Sequence, residues 1–166
     1  MRLIPVLLSV VALGWAVGAA SAEKSEPNLF GMWNCSTVVD QDGVRLSMDL
    51  STNYVRNGRS NTVGRLKLEF SKLPLEDMEY SLVGTGTWEM IDGYLVEVAE
   101  EVTARNISHP DMGDVLNIGD MFPSNASESY QVVTLTTKCL TLKGEADGTI
   151  YQCRRPKIDR CPGNQG

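Results

Sequence analysis

The chain has 166 residues, with 15 Lys and Arg against 21 Asp and Glu, one histidine and a formal net charge of −6. Such an acidic chain is not a general nucleic-acid binder, because neutralising phosphates takes a basic surface. Its four cysteines include no C-x-x-C pair, and one histidine adds little, so no metal-ligand pattern is present.

The N-terminus reads as an export signal. Arg2 gives a positive start, Leu3 to Ala19 is apolar apart from Ser9, and Ala20-Ser21-Ala22 is a small-x-small cleavage site. Composition changes at once in Glu23-Lys24-Ser25-Glu26-Pro27. We therefore expect residues 1–22 to be a cleaved signal peptide and 23–29 a short lead. The expected location is secreted or periplasmic, with no stable membrane insertion after cleavage. Removing 22 of 166 residues leaves 144, enough for one domain with its own core. Losing Arg2 moves the net charge from −6 to −7. Cys35, Cys139, Cys153 and Cys161 all fall in this part, and an even count in an exported chain predicts two disulfides.

The periodicity that follows is that of β-structure. The first strand is expected over 30–39, around Phe30-Gly31-Met32-Trp33. Val44, Leu46, Met48 and Leu50 then alternate with polar residues, as do Leu66, Leu68 and Phe70. Tyr80, Leu82, Gly84, Gly86, Trp88 and Met90 share the next face. Tyr94 to Val102 alternates again, and 130–136, 138–143 and 149–154 make three more strands. Asn57-Gly58, Asp92-Gly93 and Asp147-Gly148 mark hairpin turns, and Asn-Gly signals a type I′ turn with positive φ at both positions. Antiparallel strands joined by short turns make a meander. The expected fold class is all-β, an antiparallel up-and-down meander of about eight strands closed into a small barrel over 30–155. Closure leaves no exposed edge. A β-sandwich is the alternative.

Residues 105–127 break the rhythm with His109-Pro110, Gly113, Gly119 and Pro123. A short helix capped by Asp111 is expected within Asp111 to Phe122. A loop of this length is functional or decorative, and in a barrel it covers one mouth. Residues 156–166 form a tail. The basic residues Arg154, Arg155, Lys157 and Arg160 near it read as a solvated group.

Strand parity places the cysteines. A four-residue loop, Glu145–Gly148, pairs Gly144 with Thr149, sets Leu142 opposite Tyr151 and Leu140 opposite Cys153, and leaves Cys139 outward. Cys35 shares the inward face of Trp33. Four cysteines allow three connectivities. A closed barrel joins first and last strands, which favours Cys35–Cys153 as the closing bridge and Cys139–Cys161 as a clip on the tail.

Gly31-Met32-Trp33 resembles the G-x-W that opens lipocalins and other calycin barrels. Gly86-Thr87-Trp88-Glu89-Met90-Ile91-Asp92-Gly93-Tyr94-Leu95 is similar to a strand pair of bacterial lipocalin-like domains. Leu135 to Leu142, Asp147-Gly148 and the final Cys153-Arg154-Arg155 resemble the way those domains end. The resemblance covers most of 30–155. It implies an eight-stranded barrel in which Trp33 packs across the closed end, with Arg154 or Arg155 over it, and it points to a bacterial source. Many such domains have no assigned activity.

No catalysis is expected. His109 is the only histidine, and no G-x-S-x-G elbow accompanies it. Bridged cysteines offer no thiol nucleophile. Glu97, Glu100 and Glu101 share a Val-rich strand and read as a solvated face, although one of them facing inward would be a candidate acid or base. Asp111, Asp114 and Asp120 match no calcium-loop spacing. Asn34, Asn106 and Asn125 open glycosylation sequons, which matter only in a eukaryotic secretory path. No cofactor is expected.

A barrel of eight strands either fills with side chains or holds one small ligand. Leu46, Met48, Leu66, Leu68, Phe70, Tyr80, Leu82 and Trp88, with Val44, are the candidate lumen, and they are equally the core of a filled barrel. Gly84 and Gly86 leave room for a ligand or for Trp33 and Trp88. The expected partner is a small apolar ligand. The alternative is a protein, bound through loop 105–127 by a filled barrel that acts as an interaction module or inhibitor. A lumen well under about 300 Å³ would sink the ligand reading.

Overall fold

The computed structural model describes residues 28–72, 76–112, 118 and 122–161. The expected signal peptide, most of the lead, Asp114, Asp120 and the end of the tail lie outside the described residues. Eight strands follow in chain order: β1 Gly31–Gln41, β2 Val44–Tyr54, β3 Arg59–Phe70, β4 Met78–Ile91, β5 Tyr94–Asn106, β6 Ser127–Leu135, β7 Cys139–Gly144 and β8 Ile150–Arg154. Each pairs antiparallel with the next, and β8 returns to β1, so the meander closes into a barrel. The sandwich alternative is set aside by that closure. In the long loop a 3-10 turn covers Pro110–Met112.

The turns carry the punctuation with one exchange. Asp42-Gly43 and Asp92-Gly93 both have positive φ at both positions, so these two are the tight turns with left-handed backbone. At Asn57-Gly58 only Gly58 is left-handed. There the Gly58 amide donates to the Val55 carbonyl, and Asn57 Oδ1 accepts from the Arg59 amide. The chain thus turns more widely than a type I′ hairpin.

The seam between β1 and β8 is short, Asn34 to Ser36 against Arg154 to Gln152. Cys35 lies opposite Cys153 at its centre, and the two are disulfide-bonded. Leu140 faces Cys153 and Leu142 faces Tyr151, the register that parity gives. Cys139, on the outer face, bonds Cys161 of the tail. Two disulfides fit an oxidising compartment.

Inward side chains form two apolar clusters. At one end Leu29, Trp33, Tyr54, Leu95, Leu140, Leu142 and the Cys35–Cys153 bridge pack together, with Trp88 against them. This end is closed. Trp33 is fully buried and its Nε1 donates to the Leu29 carbonyl at 2.8 Å. The Arg155 guanidinium lies 3.8 Å from the centre of the Trp33 ring and donates to the carbonyls of Asn28, Phe30 and Met32. Gly31 has φ +96°, and a Cβ there would sit 3.1 Å from Arg155 Nη1. The glycine of Gly31-Met32-Trp33 therefore serves the backbone and the arginine together. Arg155 leaves the expected solvated basic group, while Arg154, Lys157 and Arg160 stay exposed.

At the other end Leu66, Leu68, Met78, Tyr80, Leu82 and Ile118 form the second cluster, joined by Val44, Leu46, Met48, Leu50, Phe70, Ala104 and Phe122. Ile118 and Phe122 come from the long loop, so described parts of that loop pack over this end. Between the two clusters the barrel has a waist.

Candidate ligand-binding site

The waist is where the strands supply small side chains on one wall and long polar ones on the other. Register carries one inward row from Tyr54 through Ser60 and Gly86 to Ala99, and the next from Trp33 through Thr52, Thr62 and Gly84 to Val102. Once past Trp33 and Tyr54, these rows hold only small or β-branched residues. Glu97, Glu128, Tyr130 and Tyr151 project from the opposite wall. The result is a cavity of about 220 Å³, also walled by Met48, Leu50 and Leu82, with Phe122, Pro123 and Ala126 of the loop at its rim. Interiors normally pack without voids larger than a water, so space of this size is a feature of the fold.

A one-residue bulge in β5 aims Glu97. Thr85 pairs with Glu101 but Gly86 pairs with Ala99, which leaves Glu100 as the extra residue. Beyond it the inward set changes phase, from Val102, Ala104 and Asn106 to Leu95, Glu97 and Ala99. Glycine is required opposite the bulge, because a Cβ on Gly86 would stand 2.3 Å from the Val98 carbonyl oxygen. The solvated-face reading of this strand therefore holds for Glu101, which is exposed, and for Glu100, which pairs with Arg59 at 2.8 Å outside the barrel. It fails for Glu97, whose remaining accessible surface faces the cavity.

Burial sets the electrostatics. It pushes the Glu97 carboxyl up to about 7; a hydrogen bond from Tyr54 works the other way, and the neighbouring Glu128 charge adds to the rise. Tyr54 is raised well above its ordinary value by burial and then by Glu97. Tyr130 is raised by burial and by Glu128, to which its hydroxyl donates. Tyr151 is pushed up to about 12 by burial, with Glu128 and Asp147 contributing. Tyr130 and Tyr151 meet edge to face, ring centres 5.4 Å apart. Thr52 and Thr62 share a hydrogen bond of 2.9 Å.

The candidate lumen residues are distributed unevenly. Met48 and Leu82 line the cavity. Leu46, Met48, Leu68 and Phe70, with Val44, line a more open groove of about 590 Å³ at the loop-covered end, whose wall also includes Tyr151. Leu66 and Tyr80 are fully buried and fill that half of the barrel. Trp88 lies towards the closed end, its ring against Phe30 and Tyr54 and its Nε1 donating to the carbonyls of Val55 and Arg59. Sequence reasoning missed Glu128, Tyr130 and the hydroxyl wall of Ser60 and Thr62. Parity on β8 already gave Tyr151 as inward, and among Glu97, Glu100 and Glu101 an inward acid was considered without Glu97 being singled out.

His109 lies between Ser108 and Glu76, with Nδ1 2.9 Å from the Ser108 hydroxyl and Nε2 2.7 Å from the Glu76 carboxylate. Ser108 Oγ also accepts from the Glu79 amide and lies 3.2 Å from Asn106 Oδ1, so these groups tie the loop to the start of β4. The Asn106 side chain is buried and accepts from the His109 amide, which leaves that sequon inaccessible in the folded chain. Among the described residues no group of His, Cys, Asp or Glu is arranged to hold a metal ion, and no helix is long and apolar enough to cross a membrane.

Fold and cavity together define a class: a closed eight-stranded up-and-down barrel with a mainly apolar, partly enclosed cavity that a few polar groups line, consistent with a lipocalin-like fold. Compared with models of known protein families and with curated proteins, the chain matches none.

Proposed function

We propose that this protein is an exported, lipocalin-like binding protein that acts by holding a small molecule in its lumen and not by catalysis. The observation that carries this reading is the cavity of about 220 Å³ between two packed clusters. That volume falls short of the threshold of about 300 Å³, so it counts against a drug-sized ligand and confines the proposal to a smaller one. It exceeds the roughly 150 Å³ that suffices for a benzene-sized molecule. A ring with a short side chain is the size that fits. Export is supported by Arg2, the apolar run to Ala19 and the Ala20-Ser21-Ala22 site, together with two disulfides.

Native mass spectrometry of protein purified from its own host tests the reading. A low-mass adduct that leaves on denaturation is expected. A co-purified protein without a small molecule favours the interaction-module alternative and overturns the ligand reading.

A further inference from the structure

We propose that the waist cavity takes a small organic cation, an ammonium group set against Glu97 and Glu128 with an aromatic or short aliphatic body. The inference rests on the reading of the lumen as a ligand site and adds the chemistry of the ligand's head.

Glu97 and Glu128 are directly paired positions on β5 and β6, and both line the cavity. Among the described residues no Lys, Arg or His lines it. The segment of chain between Asn106 and Ser127 contains one basic side chain, His109, which is engaged with Glu76. Among the described residues the two carboxylates thus meet at the cavity without a counter-cation, Glu97 on its inner side and Glu128 at its exposed edge, whereas a buried charge such as that of Glu97 is ordinarily paired. The polar groups lining the cavity are Ser60 and Thr62 from β3, Thr85 from β4, Glu97 from β5, Glu128 and Tyr130 from β6, and Tyr151 from β8, with Tyr54 from β2 behind Glu97 and Asp147 near Tyr151. None of these carries positive charge, and the Tyr54 and Tyr130 hydroxyls already donate their protons to hydrogen bonds with Glu97 and Glu128.

A second observation is independent of the acids. Ser60 is 7 % exposed and lines the cavity, and its hydroxyl, which makes no hydrogen bond to another described residue, is open to whatever occupies the lumen. A neutral apolar ligand leaves this hydroxyl without a partner and adds none to the Glu97 carboxyl beyond Tyr54, and an anion is repelled by both carboxylates. An ammonium group supplies three donors and the missing charge. The Tyr130 and Tyr151 rings add faces that attract a cation.

Isothermal titration of the full chain, expressed into the periplasm so that both disulfides form, uses three probes of one shape: 2-phenylethylamine, 2-phenylethanol and phenylacetate. At pH 8 the amine is expected to bind about 10- to 100-fold more tightly than the alcohol, the range for a charge-assisted hydrogen bond, and phenylacetate is expected not to bind. Glu97→Gln should bring amine and alcohol to within about threefold, since one charge-assisted contact is gone. Glu128→Gln should narrow the gap by a smaller factor, its carboxylate being the more exposed. Amine affinity should fall below pH 6, as the carboxyl takes up its proton. Equal binding of alcohol and amine, binding of phenylacetate, or an amine preference that survives both substitutions overturns the proposal. If all three fail while 1-naphthol binds, the cationic head is wrong and the binding-protein reading stands. If nothing binds and native mass spectrometry shows no adduct, both fall.

Discussion

The closed end and the waist are built from the same strands, a few residues apart, and they solve opposite problems. At the closed end every large group is matched: Trp33 has an acceptor for its indole N–H and a guanidinium over its ring, and Arg155 has three carbonyls. At the waist the same strands carry Ser60, Thr62, Gly84 and Gly86 against Glu97, Tyr130 and Tyr151, and they leave space. One end is packed for stability, while the other keeps an ionisable group buried at a cost to stability. The difference teaches that this barrel is neither simply filled nor simply hollow.

Substitutions can break or sharpen that contrast. Trp33→Ala should cost about 3–5 kcal/mol, the range for removing a buried tryptophan, as read by urea denaturation. Replacing Cys35 and Cys153 together by Ser should cost about 2–5 kcal/mol, because that bridge closes a long loop across the shortest seam. The Cys139–Cys161 pair, at a sequence separation of 22, should cost less.

The waist predicts the opposite sign. The Glu97 carboxyl titrates near 7 in the fold, above its ordinary value. Between about pH 4.5 and 7 the folded state therefore binds more protons than the unfolded chain, and the Glu97 contribution to stability is lost as pH rises. Glu97→Gln should be more stable than the parent by about 1–3 kcal/mol at pH 8. The difference should vanish near pH 4, checked by urea melts at both pH values. A loss of stability at pH 8 would sink the account of Glu97 as a destabilised inward charge.

At the closed end Arg155→Lys should cost about 1–2 kcal/mol, since a lysine keeps the charge but not the planar contact with Trp33. The smallest effect belongs to Glu100→Gln, within about 0.5 kcal/mol, because its pair with Arg59 is exposed. Glu97 and Glu100 stand three residues apart on one strand, so unlike responses from them measure what the bulge does.

The β-barrel pattern was legible because it rests on local rules. Alternation fixed which residues of β2, β3 and β4 share a face, and the parity of β7 and β8 was enough to pair Leu140 with Cys153. Asp42-Gly43 carried the same turn signal as Asp92-Gly93 and went unread, whereas Asn57-Gly58 was over-read. Asn57 is satisfied by an Arg59 amide in a wider turn.

What the sequence by itself determined is the class: β-strands in order and a closing pair of cysteines. What only the tertiary structure decided is which carboxylate enters the barrel. Valines stand on both faces of β5, at Val96 and Val98 outward and Val102 inward, so alternation alone does not choose a face. A single bulged residue at Glu100 shifts the phase and turns Glu97 inward. A one-residue change of register moves every later side chain to the opposite face. That shift depends on how β5 pairs with β4, where Gly86 alone admits the Val98 carbonyl.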